Sequence, residues 1–350
     1  MSDTRGGLSF RARPQAATRN PVDLGQAARV WQLVEEQSLR DSVHERSRIM
    51  KSPDLIFPSV SQSSSSALVA LFAGATAIAF APIFVRLSEV GPVTTAFWRL
   101  TLALPVLWLW VLFEQRNPRA PQKATAGSAH RQLVLAGLFF AGDLAVWHRS
   151  ILFTSVANST LLANFAPIFV ALGAWLLFGQ RVSRAFLAAM TIALVGTSIM
   201  VGTSFRVSLQ HLWGDALGLV TAVFYAGYIL TVKQLREESS VATIMARGGA
   251  VTSLALLPIA IFSGETIMPP TWYGWAVLLA LALISQVSGQ SLIAYALAHL
   301  PAAFSSVGLL LQPVMATIFA WFILGETLQP WQALGGALVL LGIVKARQAG

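Results

Sequence analysis

Ten apolar runs separated by short polar breaks govern what this chain can become. They lie at about 66–85, 93–113, 132–152, 156–178, 184–202, 212–232, 242–262, 272–297, 301–323 and 330–346. Each is roughly 17–26 residues, the length of helix that crosses about 30 Å of hydrocarbon. Helix is the conformation that satisfies every backbone amide within one segment, as lipid requires. Only 11% of the residues are charged, where a soluble domain carries about 25%. The fold class read from these features is all-α: a polytopic membrane protein of ten transmembrane helices.

The net charge of +9 does not point to nucleic acid, because the basic residues fall between apolar runs instead of along one face. In a membrane chain such residues set topology. With the N-terminus inside, the inner loops and C-terminal tail hold Arg116, Arg119, Lys123, Arg131, Arg181, Arg184, Lys233, Arg236, Lys345 and Arg347. The outer loops hold Arg86, Arg149 and Arg206. Ten against three predicts that both termini are cytoplasmic and that the protein lies in the cell (inner) membrane. Residues 1–65 are polar and end in a serine tract; they read as a disordered cytoplasmic N-terminal tail, with Met50 an alternative start. No apolar stretch of signal-peptide type follows Met1.

Self-similarity organises the rest. At a fixed offset of 146, Pro167 pairs with Pro313, Trp175 with Trp321, Gly179 with Gly325, Leu194 with Leu340 and Gly196 with Gly342. At 148, Glu89 pairs with Glu237, Thr95 with Thr243 and Arg99 with Arg247. Residues 66–202 and 203–346 are therefore two copies of one five-helix unit. Five is odd, so the second copy enters the membrane upside down. An inverted repeat of this kind supports alternating access about a pseudo-two-fold axis in the membrane plane.

The run Ala81-Pro-Ile-Phe-Val-Arg86, the segment Thr95-Ala-Phe-Trp-Arg99, and the paired Pro167…Gly179-Gln180-Arg181 and Pro313…Gly325-Glu326-Thr327 segments carry a likeness. Over about residues 67–346 the chain resembles EamA-type transporters of the drug/metabolite transporter superfamily. That resemblance implies ten helices, cytoplasmic termini and the movement, usually export, of small metabolites. Gln180 departs from the family pattern, which has Glu there, as the second copy does at Glu326.

Candidate site residues are the polar groups that apolar runs carry at a cost. Asp143 lies inside the third run, where a charge costs about 2.5–3.5 kcal/mol at the bilayer centre. It either contacts a cationic group of a substrate or takes up a coupling proton; otherwise it locks the bundle by pairing with an Arg. Trp147 follows at i+4 on the same face, as a pocket wall or a packing residue. His148 is a candidate proton relay or a hydrogen-bonded structural residue, and Arg149 reaches toward headgroups. Arg99 and Arg247 either hold a carboxylate or anchor helix starts at the interface, the second being the cheaper account. In the eighth run Gln286 and Gln290 share a face, with Tyr295 beyond, while Asp143 maps onto Gly289. Asn158, Asn164 and Gln312 are polar residues of the same kind. Pro167 and Pro313 are expected hinges, since proline removes a backbone donor and kinks a helix.

The apolar surface calls for a lipid bilayer as partner, and the polar cavity for a small-molecule substrate, with protons as a candidate coupling ion. The Gly335-Gly336…Gly342 face is compatible with a homodimer. No motif for hydrolase, nucleotide or dinucleotide chemistry is visible. With five His and no Cys, no metal site or cofactor is expected. The expected function is a secondary transporter, an exporter of small polar metabolites such as amino acids, and not an enzyme. An uncoupled facilitator and a non-transporting scaffold or sensor are the alternatives.

Overall fold

The computed structural model describes residues 64–116, 127–154, 156–201 and 212–349, with the side chains of 64, 127, 128 and 156–158 outside that description. The tail read from residues 1–65 therefore lies, but for its last two positions, outside the described residues, as does the side chain of Asn158. Ten helical units follow, with no strand among the described residues. They are α1 (Ser64–Ala79, resuming as Ala81–Leu87), α2 (Pro92–Arg116), α3 (Gly127–Ser150), α4 (Val156–Ala163, then Ala166–Phe178) and α5 (Arg184–Val201). The second set is α6 (Leu212–Glu238), α7 (Val241–Phe262), α8 (Trp272–Ala280, a π-helical stretch Leu281–Gln290, then Ser291–His299), α9 (Ala302–Gly308, then Leu311–Leu324) and α10 (Pro330–Ala349). Eight are long and apolar enough to cross a membrane. The other two, α3 and α10, have 24 and 20 residues, enough at about 1.5 Å per residue for a span.

Proline sets the breaks. Pro82 and Pro167 sit in the first turn after the interruptions of α1 and α4, and Pro313 is the third residue after that of α9. Each lacks the N–H that would bond back one turn, and its ring crowds that carbonyl. Both α4 and α9 then end on a left-handed glycine, Gly179 at φ 66° and Gly325 at φ 68°. Any side chain there would meet its own carbonyl, so glycine is the cheapest residue at these two ends.

The two copies meet in a seam between α5 and α10 that is symmetric in detail. A methyl added at Gly196 would lie 2.6 Å from the carbonyl oxygen of Gly335 and 2.7 Å from the nitrogen of Val339. One added at Gly342 would lie 2.8 Å from the carbonyl of Ala189 and 2.6 Å from the nitrogen of Ala193. Adding 146 to Gly196, Ala189 and Ala193 gives Gly342, Gly335 and Val339, so the two contacts are one contact seen twice. This is what a two-fold relation produces. It also assigns the α10 glycine face, read in the sequence as a surface for a second copy, a use inside the chain.

The loops divide the bundle into two ends. At the acidic end, Glu265 after α7 accepts from the amides of Val93 (3.3 Å) and Thr94 (2.8 Å) at the start of α2. Glu89 before α2 accepts from the hydroxyl of Thr271 (2.6 Å) at the start of α8. A carboxylate at a helix N-terminus meets free amides and the positive end of the helix dipole, so each loop fastens the other copy's helix. Trp98 adds a bond to the carbonyl of Ile267 (2.7 Å) and an edge contact with Trp275. Arg86 pairs with Glu326. The opposite end carries the basic loops, and there Ser183 donates to the carbonyl of Ala349. Large apolar side chains such as Val69, Phe113, Leu177 and Phe262 stand exposed on the bundle surface, which suits lipid and not water.

Candidate substrate site

Between the two ends, the broken helices α4 and α9 decide where space opens. At the basic end the second half of α4 packs on the first half of α9, and every residue from Ala302 to Leu310 is buried. At the acidic end that pairing is not repeated. The first half of α4 packs on α6, as the second half also does, and the second half of α9 packs on α1 and α10, as the first half also does. Phe80 and Phe319 stack there at 4.0 Å. From Leu311 to Ala320 only Val314 is buried. The residues of α3 from Gly142 to Trp147 are half-buried in the same way. The two broken helices are thus closed on one another at the basic end and splayed apart at the acidic end.

Asp143 sits on that half-buried part of α3, seven residues from its end, or about 10 Å of helix rise. Among the described residues it has neither a hydrogen bond nor an ion pair, and it lies in the electrostatic field of Arg99. Arg99 comes from the third turn of α2 and is 8% exposed. Its Nε donates to Gln286 Oε1 at 3.0 Å, and its guanidinium lies 6.0 Å above the ring of Phe140. Its Nη2 is buried without a partner. A guanidinium offers five donors, and leaving one unmet inside a bundle is costly. Two opposite charges thus stand near one another inside the membrane without joining.

Tyrosines complete the wall. Tyr228 of α6 stacks on Phe140 at 4.8 Å, and its hydroxyl reaches Gln290 Oε1 at 3.4 Å. Tyr225, one turn earlier, stacks on Tyr228 at 6.2 Å and lies within the field of Asp143 and Arg99. Gln286 and Gln290 are 2% and 3% exposed, and both fall in the π-helical stretch of α8. Such stretches recur at functional sites because they displace side chains from the α-helical phase. A small gap, with room for about one water, lies between the breaks of α4 and α9. Asn164, Pro167, Tyr225, Ser306 and Gln312 line it. Asn164 turns its amide back to the carbonyl of Thr160 at 2.8 Å, and Gln312 Nε2 has no partner.

The structure therefore brings Asp143, Gln286 and Gln290 to one region and places Asn164 and Pro167 beside it. Trp147 is half-buried on the same stretch of α3 as Asp143. Two residues named from the sequence stand apart. Tyr295 is 37% exposed and stacks on His299; five residues beyond Gln290, it lies about 140° around an α-helix. His148 is buried, with Nδ1 2.5 Å from the carbonyl of Leu144, and by the same arithmetic it is about 140° from Asp143.

The cheaper account of Arg99, an interface anchor, is overturned, since its side chain is committed to Gln286 and Phe140. Arg247, its counterpart by offset, is half-buried with no hydrogen bond among the described residues. Nor does Gly289 face a cavity opposite Asp143. A methyl there would lie 2.7 Å from Ile78 and 3.3 Å from the carbonyl of Gly74, so Gly289 lets α1 cross α8. Tyr225 and Tyr228 went unread in the sequence. Their signal is weak: two phenols i, i+3 apart in mid-span, away from the interfaces where tyrosine is ordinarily found.

Comparison with known proteins adds three findings. The model of the EamA-like transporter family matches the chain twice, at residues 65–202 and 212–346. The chain is 28% identical over 272 residues to an uncharacterized transporter of Archaeoglobus fulgidus, covering 75% of this chain and 90% of that one. It is 29% identical over 245 residues to the threonine/homoserine exporter of Escherichia coli, covering 69% and 77%. It is 26% identical over 212 residues to the pseudopaline exporter of Pseudomonas aeruginosa, covering 61% and 73%. A crystal structure superposes with a TM-score of 0.66 over 81% of this chain and 96% of its own, at 18% identity, a likeness of fold alone.

Proposed function

Because the chain belongs to the EamA-like transporter family and is thus a multi-pass membrane transporter of small molecules, we propose that it exports zwitterionic metabolites of the amino-acid class by alternating access. The observation that supports this reading is the unjoined pair. Arg99 keeps a free donor inside the bundle, Asp143 has no bonded partner among the described residues, and each lies in the electrostatic field of the other. A ligand with a carboxylate and an ammonium would complete both. Arg99 would hold the carboxylate by charge-assisted hydrogen bonds, stiffened by Gln286, while Asp143 would take the ammonium or, between cycles, a proton. The exporters of threonine/homoserine and pseudopaline among its relatives are consistent with such a substrate.

The direction follows on the same reading. With the basic loops cytoplasmic, the splayed end faces the outside, the side on which product leaves. The opposite state follows if the copies exchange conformations about the two-fold relation of the α5–α10 seam, with the proline breaks of α4 and α9 as hinges. The test is transport in proteoliposomes: radiolabelled threonine should accumulate against its gradient when a proton gradient is imposed. Accumulation should vanish in Asp143→Asn protein that is still folded and inserted. Equal, purely downhill movement by both proteins would sink the coupled reading.

A further inference from the structure

One internal recess lies beside Arg99 without containing it. It is bounded by α3, α6, α7 and α8, and its walls include Phe140, Tyr228, Met245, Gly248, Gly249 and Gln286. All six are buried. The recess is mostly apolar and has room for about one water or one methyl group.

Its floor is two consecutive glycines in the middle of the 22-residue α7. Each costs about 1 kcal/mol relative to alanine in a helix, so their presence wants a reason. Elsewhere in the bundle the reason is close helix crossing. A methyl at Gly137 would lie 2.6 Å from Val251, at Gly142 2.5 Å from Phe224, and at Gly289 2.7 Å from Ile78. At Gly248 the nearest atom to such a methyl is 4.0 Å away, and at Gly249 it is 3.5 Å away. Helix packing would accept alanine at both. Gly248 keeps empty volume, whereas a methyl at Gly249 would turn toward Leu104 and Leu100 of α2.

That volume is tied to the charged site by two shared walls. Phe140 lies under the Arg99 guanidinium, and Gln286 accepts its Nε proton. We propose that the recess is the side-chain subsite of the transported molecule, with Gly248 setting the upper limit on side-chain size. A carboxylate held at Arg99 leaves the α-substituent within reach of the recess. Its walls then admit a short aliphatic group and exclude a long one. Met245, the flexible wall, sets the far limit. This rests on the reading of Arg99 and Asp143 given above, and it adds the feature that sorts one zwitterion from another.

The experiment is counterflow in proteoliposomes with full-length protein and four probes of equal charge: glycine, alanine, threonine and leucine. Wild type should move the first three faster than leucine. Gly248→Ala should lower threonine relative to glycine by about tenfold, the usual size of a one-methylene discrimination, and Gly249→Ala, whose methyl turns toward α2, should lower it less. Met245→Ala should raise leucine relative to alanine by a similar factor. Because these are ratios within one preparation, partial misfolding of a variant does not produce them. If wild type moves none of the four, the charge-pair reading and the subsite fall together. If wild type moves them but all three variants leave the ratios unchanged, the subsite alone is wrong.

Discussion

The half of α9 at the basic end, Ala302–Gly308, is buried on every side, and the half at the acidic end, Leu311–Leu324, is buried at Val314 alone. The second segment is the more apolar and yet the less buried, and both belong to one span. What differs is the partner across from them. Both touch α1 and α10, but the first half also meets the second half of α4. Under the alternating-access proposal, burial along this helix records the conformation adopted, and the opposite state would reverse it.

Several experiments break or sharpen that contrast. The largest effect is expected at the half-buried charge of α3. Asp143→Asn should lower transport about 10- to 100-fold, the value of one to two charge-assisted contacts, and radiotracer efflux measures it. Next comes accessibility. The chain has no cysteine, so single cysteines report without background. Thr317→Cys in the splayed half should react with a membrane-impermeant maleimide at least about tenfold faster than Ser305→Cys in the closed half, a gap that reflects burial. Equal rates would show that the splay is absent in the membrane.

Packing should give a middling effect. Ala303→Leu overfills a closed contact and should cost about 1–3 kcal/mol, seen as a lower Tm in detergent, whereas Thr317→Leu should leave Tm nearly unchanged. Glu265→Gln removes the charge at the start of α2 and should cost about 1 kcal/mol. The smallest change is expected at Arg86 and Glu326, which are exposed. Arg86→Ala should alter stability by less than about 1 kcal/mol, but it loosens the second half of α9 from α1. The Thr317→Cys labelling rate should therefore shift by no more than about fivefold, and the charge swap Arg86→Glu with Glu326→Arg should restore it.

The ten spans were legible in the sequence because lipid leaves one answer to the backbone's hydrogen bonds, and the repeat because Pro, Trp and Gly recur at one offset. Asp143, Gln286 and Gln290 were legible for a related reason: a polar group in an apolar run must face protein. Arg99 was harder. It and Arg247 occupy matched positions and look alike in sequence, yet one is committed to Gln286 and Phe140 and the other is half-buried. Only the facing helices decide between them. Gly289, onto which Asp143 maps by the repeat, is the seat of a crossing helix, which the sequence does not reveal. Tyr295 and His148 were grouped with the site by nearness along the chain, whereas the helical phase turns them away. The recess at Gly248 and Gly249 could not be read at all, because a glycine kept for contact and a glycine kept for emptiness are the same letter.

The α5–α10 seam has a consequence for how such a molecule can arise. Its contacts map onto themselves when the copies are exchanged, so neither copy carries a surface made only for the other. A shorter polypeptide holding one copy, threaded into the bilayer in both directions, would find the same complement on a sibling of opposite insertion. Joining two such genes end to end then fixes the stoichiometry and the opposed insertion at once. It also releases each copy from having to be its own mirror, so that a carboxylate can appear on α3 while α8 keeps glycine at the matching place.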